Sequence, residues 1–215
     1  MATIRPATPS DAPDLRTVCA LAYRDNPLMR WVLPDDATRA DACAAWLGPS
    51  IDRYVAAGRV DVLTVDDEPV ALAAWRLPGA HGTPGTTTHA VTPQPTGARV
   101  AATLPRPTGV LQALVGAQRA AQVLGALARA SDLAPAAPGP YLHYLAVHPD
   151  HQGRGLGGRL LRHGLEATGP SGGTAWLGTT DRRNLPFYRR HGLVTAGVVA
   201  LGTSGPDLTV LHAPS

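Results

Sequence analysis

Tyr141-Leu142-His143-Tyr144-Leu145-Ala146-Val147 runs into His148-Pro149-Asp150-His151-Gln152-Gly153-Arg154-Gly155-Leu156-Gly157-Gly158, and this junction decides the fold. Its first seven residues have the length and composition of a buried strand. Pro149, which has no N–H to give to a ladder, ends it. Glycines follow, and then a helix begins near Leu156 and reaches about Thr168. Strand, Gly-rich turn and helix together make an anion-binding device. Free backbone N–H groups and the helix dipole converge on one point, and glycine lets a phosphate approach the backbone. A dinucleotide fingerprint, Gly-x-Gly-x-x-Gly with an acidic residue about 20 positions on, is met only loosely, because that acid is missing.

Downstream of the junction, Thr174–Thr179 reads as a strand and Asn184–His191 as a second helix. Leu193–Leu201 and Leu208–His212 close as a hairpin. Upstream, Ile4–Ala7 is a short strand, and Ser10 or Asp11 is placed to cap a helix from Ala12 to Tyr23. Asn26–Leu33 reads as a loop. A helix from Asp35-Asp36 to about Ala57 stops at Gly58, and the strands Val60–Val65 and Val70–Leu77 meet at Asp66-Asp67-Glu68-Pro69. Pro78–Pro107 is rich in Pro, Thr and Gly, which predicts a lid or a surface insertion. Val110–Ala130 has the apolar spacing of one long helix. The expected organisation is one α/β domain over 1–215 with an insertion at about 78–138.

Composition excludes several chemistries. All 19 basic residues are Arg, so neither a Schiff-base lysine nor the Gly-Lys-Ser/Thr phosphate loop is available. Neither a signal-peptide h-region after Met1 nor an apolar run of spanning length is visible, which predicts a cytoplasmic protein off the membrane. Cys19 and Cys43 are expected to be reduced and buried. The eight His lack metal-ligand spacing, so no metal is expected. The Arg are not interleaved with aromatics as nucleic-acid binding would require.

Gln152, Gly155 and Gly157 match the Gln/Arg-x-x-Gly-x-Gly/Ala signature of the GNAT N-acetyltransferases, and Leu145-Ala146-Val147-x-Pro149 and Asn184-x-x-x-Tyr188-x-x-x-Gly192 also resemble that family. The resemblance is close over 139 to 200. The order strand, two helices, two strands in the first half is similar too. Arg5-Pro6-Ala7-Thr8 and Arg183-Asn184-Leu185-Pro186-Phe187-Tyr188 resemble the puromycin N-acetyltransferase branch, which carries a helical insertion before its central strand. The resemblance implies a mixed, largely antiparallel sheet flanked by helices and splayed beside the central strand.

It implies acetyl-CoA as acyl donor. Gln152, Gly153, Arg154, Gly155, Leu156, Gly157 and Gly158 would surround the pyrophosphate. The edge of Leu145, Ala146 and Val147 would pair with the pantetheine arm as an added strand would, and Asn184 would bond the same arm. Tyr188, one turn after Asn184, would protonate the departing thiolate. His143 stands where the serotonin N-acetyltransferase strand has a His that takes part in proton removal. Alternation places it on one face with Tyr141 and Leu145. Tyr23, Trp31 and Tyr141 are candidates for the acceptor side.

Gly178 stands where puromycin-type enzymes carry an acid, which shifts acid–base work towards His143. Asp181 reads as a solvated turn former, and His148 and His151 as surface residues. Leu193 replaces a Phe usual in the family. The expected function is transfer to an amine of a small molecule by a monomer or homodimer, in a ternary complex. The alternatives are a protein or peptide N-acetyltransferase and a non-catalytic acyl-CoA-binding module. Between 139 and 195 there are seven Arg against three acidic residues, a local positive field at the proposed site for an anionic donor.

Overall fold

The computed structural model describes residues 1–78, 103–169 and 173–214. Seven strands form one sheet: β1 (Ala2–Pro6), β2 (Arg59–Val65), β3 (Glu68–Arg76), β4 (Pro138–Val147), β5 (Thr174–Thr179), β6 (Val194–Ala200) and β7 (Asp207–His212). Their order across the sheet is β1-β2-β3-β4-β5-β7-β6. Every neighbouring pair is antiparallel except β4 and β5, which are parallel. The expected mixed, largely antiparallel α/β sheet is therefore present. The β2–β3 hairpin turns at Asp66 and Asp67, whose φ of 50° and 67° are the left-handed values a tight two-residue turn demands.

Helices cover both faces. On one side α1 (Ala12–Tyr23) and α3 (Arg39–Ala57) bury Leu15, Val18, Trp46 and Ile51 against Val62, Leu72 and Ala74. On the other, α6 (Leu156–Thr168) buries Leu156, Leu160 and Leu161 against Ala71, Ala73 and Trp75. Adjacent residues of β3 thus feed opposite cores, as a period of two requires. Cys19 and Cys43 are buried and free. Burial pushes both thiols up, that of Cys43 to about 11.

Three local readings change. Asn26–Leu33 holds a helix, α2 (Pro27–Val32), because Asn26 caps it and Pro27 sits in its first turn, where no N–H is needed. The single helix expected over Val110–Ala130 is two, α4 (Pro107–Val115) and α5 (Ala117–Ala128), divided at Gly116 with φ 80°. Asp11 does not cap α1. Its carboxylate accepts the Thr8 N–H at 2.6 Å and both guanidinium nitrogens of Arg5, which ties β1 to the start of the helix. Most of the Pro78–Pro107 stretch lies outside the described residues.

Candidate active site

The central strand is irregular at the position that matters. Ala74 pairs with Tyr144 and Trp75 with Leu142, so His143 is the extra residue of a β-bulge. The bulge resets the alternation. Leu142 packs with the α6 core, while Tyr144 and Ala146, which should share its face, pack with the α1–α3 core. His143 therefore shares a side with Tyr141 and Tyr144 but not with Leu145, which packs towards α6. The expected common face of Tyr141, His143 and Leu145 fails because one residue was inserted between them.

Beyond the bulge the strand loses a neighbour. Pairing between β4 and β5 ends at Leu142 with Leu177, so the strands splay. The His148 N–H bonds Val70 O at 2.8 Å, which by antiparallel alternation turns the amides of Leu145 and Val147 away from β3 and into the splay. There the Leu145 N–H meets the Tyr23 hydroxyl at 3.3 Å. Gln152 donates to Val147 O at 3.0 Å, fastening the turn to the strand that feeds it.

The turn then opens onto α6. Gly155 caps the helix with φ 75° and ψ 4°, and a Cβ at Gly153 or Gly155 would meet nothing within 4 Å. The first intrahelical bond comes from the Arg159 N–H to Gly155 O, so the amides ahead of it are the donors every helix start leaves over. A Cβ at Gly158 would come within 2.7 Å of His191 Nε2, so that position has no room for a side chain.

Strand edge, turn and helix start border one cavity of about 1520 Å³. Of the residues expected to serve the donor, Leu145, Val147, Gln152, Gly153, Gly155, Leu156, Gly157, Gly158 and Asn184 line it, as do His143, Tyr188, Tyr23 and Tyr141. Ala146 points into the α1–α3 core, and Arg154 is exposed on the turn without lining the cavity. Trp31 does not line it: Arg119 stacks on its ring at 4.2 Å, and it borders a shallow pocket beside Ser204 that shares Asp25 and Arg183 with the cavity.

His143 is exposed to the cavity yet lies deep between its walls, and this partial loss of bulk water, helped by the nearby Arg76 guanidinium, pushes its pKa down to about 4. Its ring stacks on Tyr144 at 4.2 Å, and Nδ1 lies 2.8 Å from the Tyr54 hydroxyl. Tyr188 is buried on α7 (Leu185–Arg190), and burial holds its phenol well above the ordinary value, so it keeps its proton. The Tyr141 hydroxyl lies against Gly178 across the start of the splay, 3.6 Å from where a Cβ would stand.

Some surroundings differ from expectation. Asp181 is buried, not solvated; it accepts the Arg183 N–H at 3.0 Å and pairs with the same residue's guanidinium at 2.7 Å, which lowers its pKa. His148 and His151 are half-buried, and His151 borders the cavity. Leu193 is buried in the α6 core. The Arg cluster is partly neutralised, since Arg182 pairs with Asp207 and Arg183 with Asp181, while Arg190 lines the cavity. Tyr54 and Arg76 are site residues that the sequence reading passed over. Among the described residues no cluster of His, Cys, Asp or Glu is placed to hold a metal, and no helix is long and apolar enough to cross a membrane.

Residues 112–194 match the family model of the acetyltransferase (GNAT) domain. Solved structures of similar fold span the whole chain. One from Corynebacterium glutamicum ATCC 13032, called histone acetyltransferase HPA2 and related acetyltransferase, is 23% identical with a TM-score of 0.64, over 100% of this chain and 97% of its own. Mosquito arylalkylamine N-acetyltransferase like 5b is 13% identical with a TM-score of 0.57, over 99% of each chain. A Drosophila melanogaster polyamine N-acetyltransferase that forms N-acetylagmatine is 16% identical with a TM-score of 0.53, over 100% of each. The fold is the GNAT fold.

Proposed function

We propose that this chain, an acyltransferase by its GNAT fold and its domain match over 112–194, moves an acetyl group from acetyl-CoA to an amine of a small molecule, antibiotic-like or biosynthetic, in one ternary complex. One observation carries the reading. The splayed edge at Leu145 and Val147, the start of α6, His143 and Tyr188 all border the same cavity.

The open space at Gly153 and Gly155 and the unpaired first-turn amides suit a pyrophosphate, with Arg154 adding charge on the turn. The Leu145 and Val147 amides and Asn184 would hold an extended pantetheine arm. Bound there, acetyl-CoA supplies the acetyl group as a thioester. An amine arrives mostly as ammonium and must lose a proton before it can attack. With Nδ1–H donated to Tyr54, neutral His143 keeps a lone pair on Nε2 to take that proton, directly or through water. The amine nitrogen then bonds the acetyl carbon as the carbon–sulfur bond breaks, Tyr188 gives its phenolic proton to the sulfur, and the nitrogen's second proton leaves through water to restore the phenol and the neutral amide. The likeness of Arg183-Asn184-Leu185-Pro186-Phe187-Tyr188 to puromycin-type enzymes supports a small-molecule acceptor, while Gly178 argues against puromycin itself.

Purified protein given acetyl-CoA and a panel of primary amines should release free thiol and yield acetylated small amines. Initial-rate plots should intersect, as a ternary complex requires. Acetylation confined to peptides, or acetyl-CoA binding without turnover of any amine or peptide, overturns the reading.

A further inference from the structure

The chain has ten aromatic residues of the Phe, Trp and Tyr types, and eight of them, including all five Tyr, line this cavity. Their distribution along it is uneven. The Leu145–Val147 end leads to the Gly turn. At about 3.3 Å per residue, the Tyr141–His143 end lies more than a nanometre from it. At that far end Tyr141 and Trp176 pack with ring centroids 4.5 Å apart, Tyr141 and His143 at 5.8 Å, and Tyr54 stands edge-on to His143 at 5.4 Å. These rings form one continuous aromatic wall, with neighbouring ring planes inclined by 55–81°.

The charge shown beside the wall is positive, that of Arg76 over Tyr141. Arg53 and Arg76 both line the cavity. The carboxylates that line it are Asp25 and Asp181, and each is held by an arginine, Arg30 at 3.0 Å and Arg183 at 2.7 Å. The undescribed stretch 79–102 contains no Asp or Glu, so it has no carboxylate to add. Aromatic faces attract cations, but the Tyr141 face already carries the Arg76 guanidinium, 4.8 Å from its centroid. A second ammonium on the acceptor would meet like charge at Arg76, while the carboxylates that line the cavity, Asp25 and Asp181, are already paired with arginines.

We infer that the acceptor is an aromatic monoamine: a primary amine joined to a flat apolar group, with no second positive charge, so that di- and polyamines are rejected. This rests on the acetyl-transfer reading above and deepens it. The same positive surroundings favour the neutral amine over its ammonium, which is the form that attacks.

Steady-state thiol release with acetyl-CoA tests it, using phenethylamine, phenylalanine, putrescine and spermidine as acceptors. The aromatic pair should exceed the polyamine pair in kcat/KM by about tenfold or more, since each wrong charge in such a site costs at least that much. The Arg76→Glu variant, which puts a carboxylate beside Tyr141, should raise the putrescine-to-phenethylamine ratio by about tenfold, and Arg76→Gln by less. Thermal unfolding shows whether each variant is folded. A polyamine turned over as well as phenethylamine, or a ratio that Arg76→Glu leaves unchanged, overturns the inference while acetyl transfer stands. Thiol release with none of the four also overturns it, and the broader amine panel then decides whether the transfer reading falls as well.

Discussion

The Tyr54 hydroxyl lies 2.8 Å from Nδ1 of His143, so a residue of α3 sets the orientation of the one residue that the β-bulge adds to the central strand. The two rings also meet edge to face at 5.4 Å. The bulge leaves His143 outside the register with β3, and this bond together with its stacking on Tyr144 at 4.2 Å holds its ring.

Tyr54→Phe should therefore keep the ring contact and lose only the bond. Stability should fall by about 0.5–1.5 kcal/mol, the net worth of one such bond. The kcat should fall about tenfold with the donor's dissociation constant unchanged, checked by kinetics beside a CoA titration. An unaltered kcat would show that the orientation of His143 does not matter.

The depressed pKa of His143 has a definite sign in both stability and rate. Folding lowers it from 6.5 to about 4, so the unfolded chain binds more protons between those values. Stability from this group is present above about 6.5 and is lost as pH falls towards 4. His143→Gln should flatten that part of the unfolding curve, measured by denaturant titration at several pH values. In the native enzyme kcat/KM should show no inflection near 6.5, because the base is already neutral there. The acceptor's own ammonium should govern the rise with pH.

Tyr188→Phe removes a phenol whose proton burial retains. Proton donation by a placed side chain contributes about a hundredfold or more. The kcat should drop by that much, with donor affinity within about twofold. An acceptor panel should then show equal losses for every amine, as a proton given to the leaving sulfur and not to the acceptor requires.

Gly155→Ala tests the turn. A methyl there meets nothing within 4 Å, so its cost is the left-handed backbone alone, φ 75°. That costs about 1 kcal/mol and lowers the melting temperature by about 2–4 °C. Donor affinity should fall as well, because the methyl enters the space proposed for the pyrophosphate. Gly109→Ala is the control: it has open space, lies within α4 and does not line the cavity, and should leave donor affinity alone.

Local signals made the C-terminal half readable. Leu156–Thr168 and Thr174–Thr179 were placed to the residue, because glycine punctuation and amphipathic spacing act within one segment. The splay was expected only through resemblance, since strand neighbours are a non-local matter. Asn26-Pro27 reads as a loop, although an Asn cap followed by Pro is also how a helix begins; what decides is tertiary, with the Thr180 hydroxyl bonding the same Asn26 oxygen at 2.7 Å. Gly116 was passed over because apolar spacing resumes on either side of it. The bulge was invisible, since a strand with one added residue spells the same letters as a regular one. Tyr54 was unreadable as a partner of His143, because 89 residues separate them. Asp181 looked like a solvated turn residue until the fold buried it and supplied Arg183.

The parting of β4 and β5 has one more consequence. A sheet edge on the outside of a protein invites the strand of another molecule and so risks aggregation. Here the unfinished edge lies inside the sheet, between two strands that belong to it, with Tyr23 and Asn184 bordering the gap. A neighbouring sheet is too thick to enter, whereas a single extended chain is slim enough. The fold thereby keeps a reactive seam away from its own kind and sorts visitors by girth before any chemistry begins.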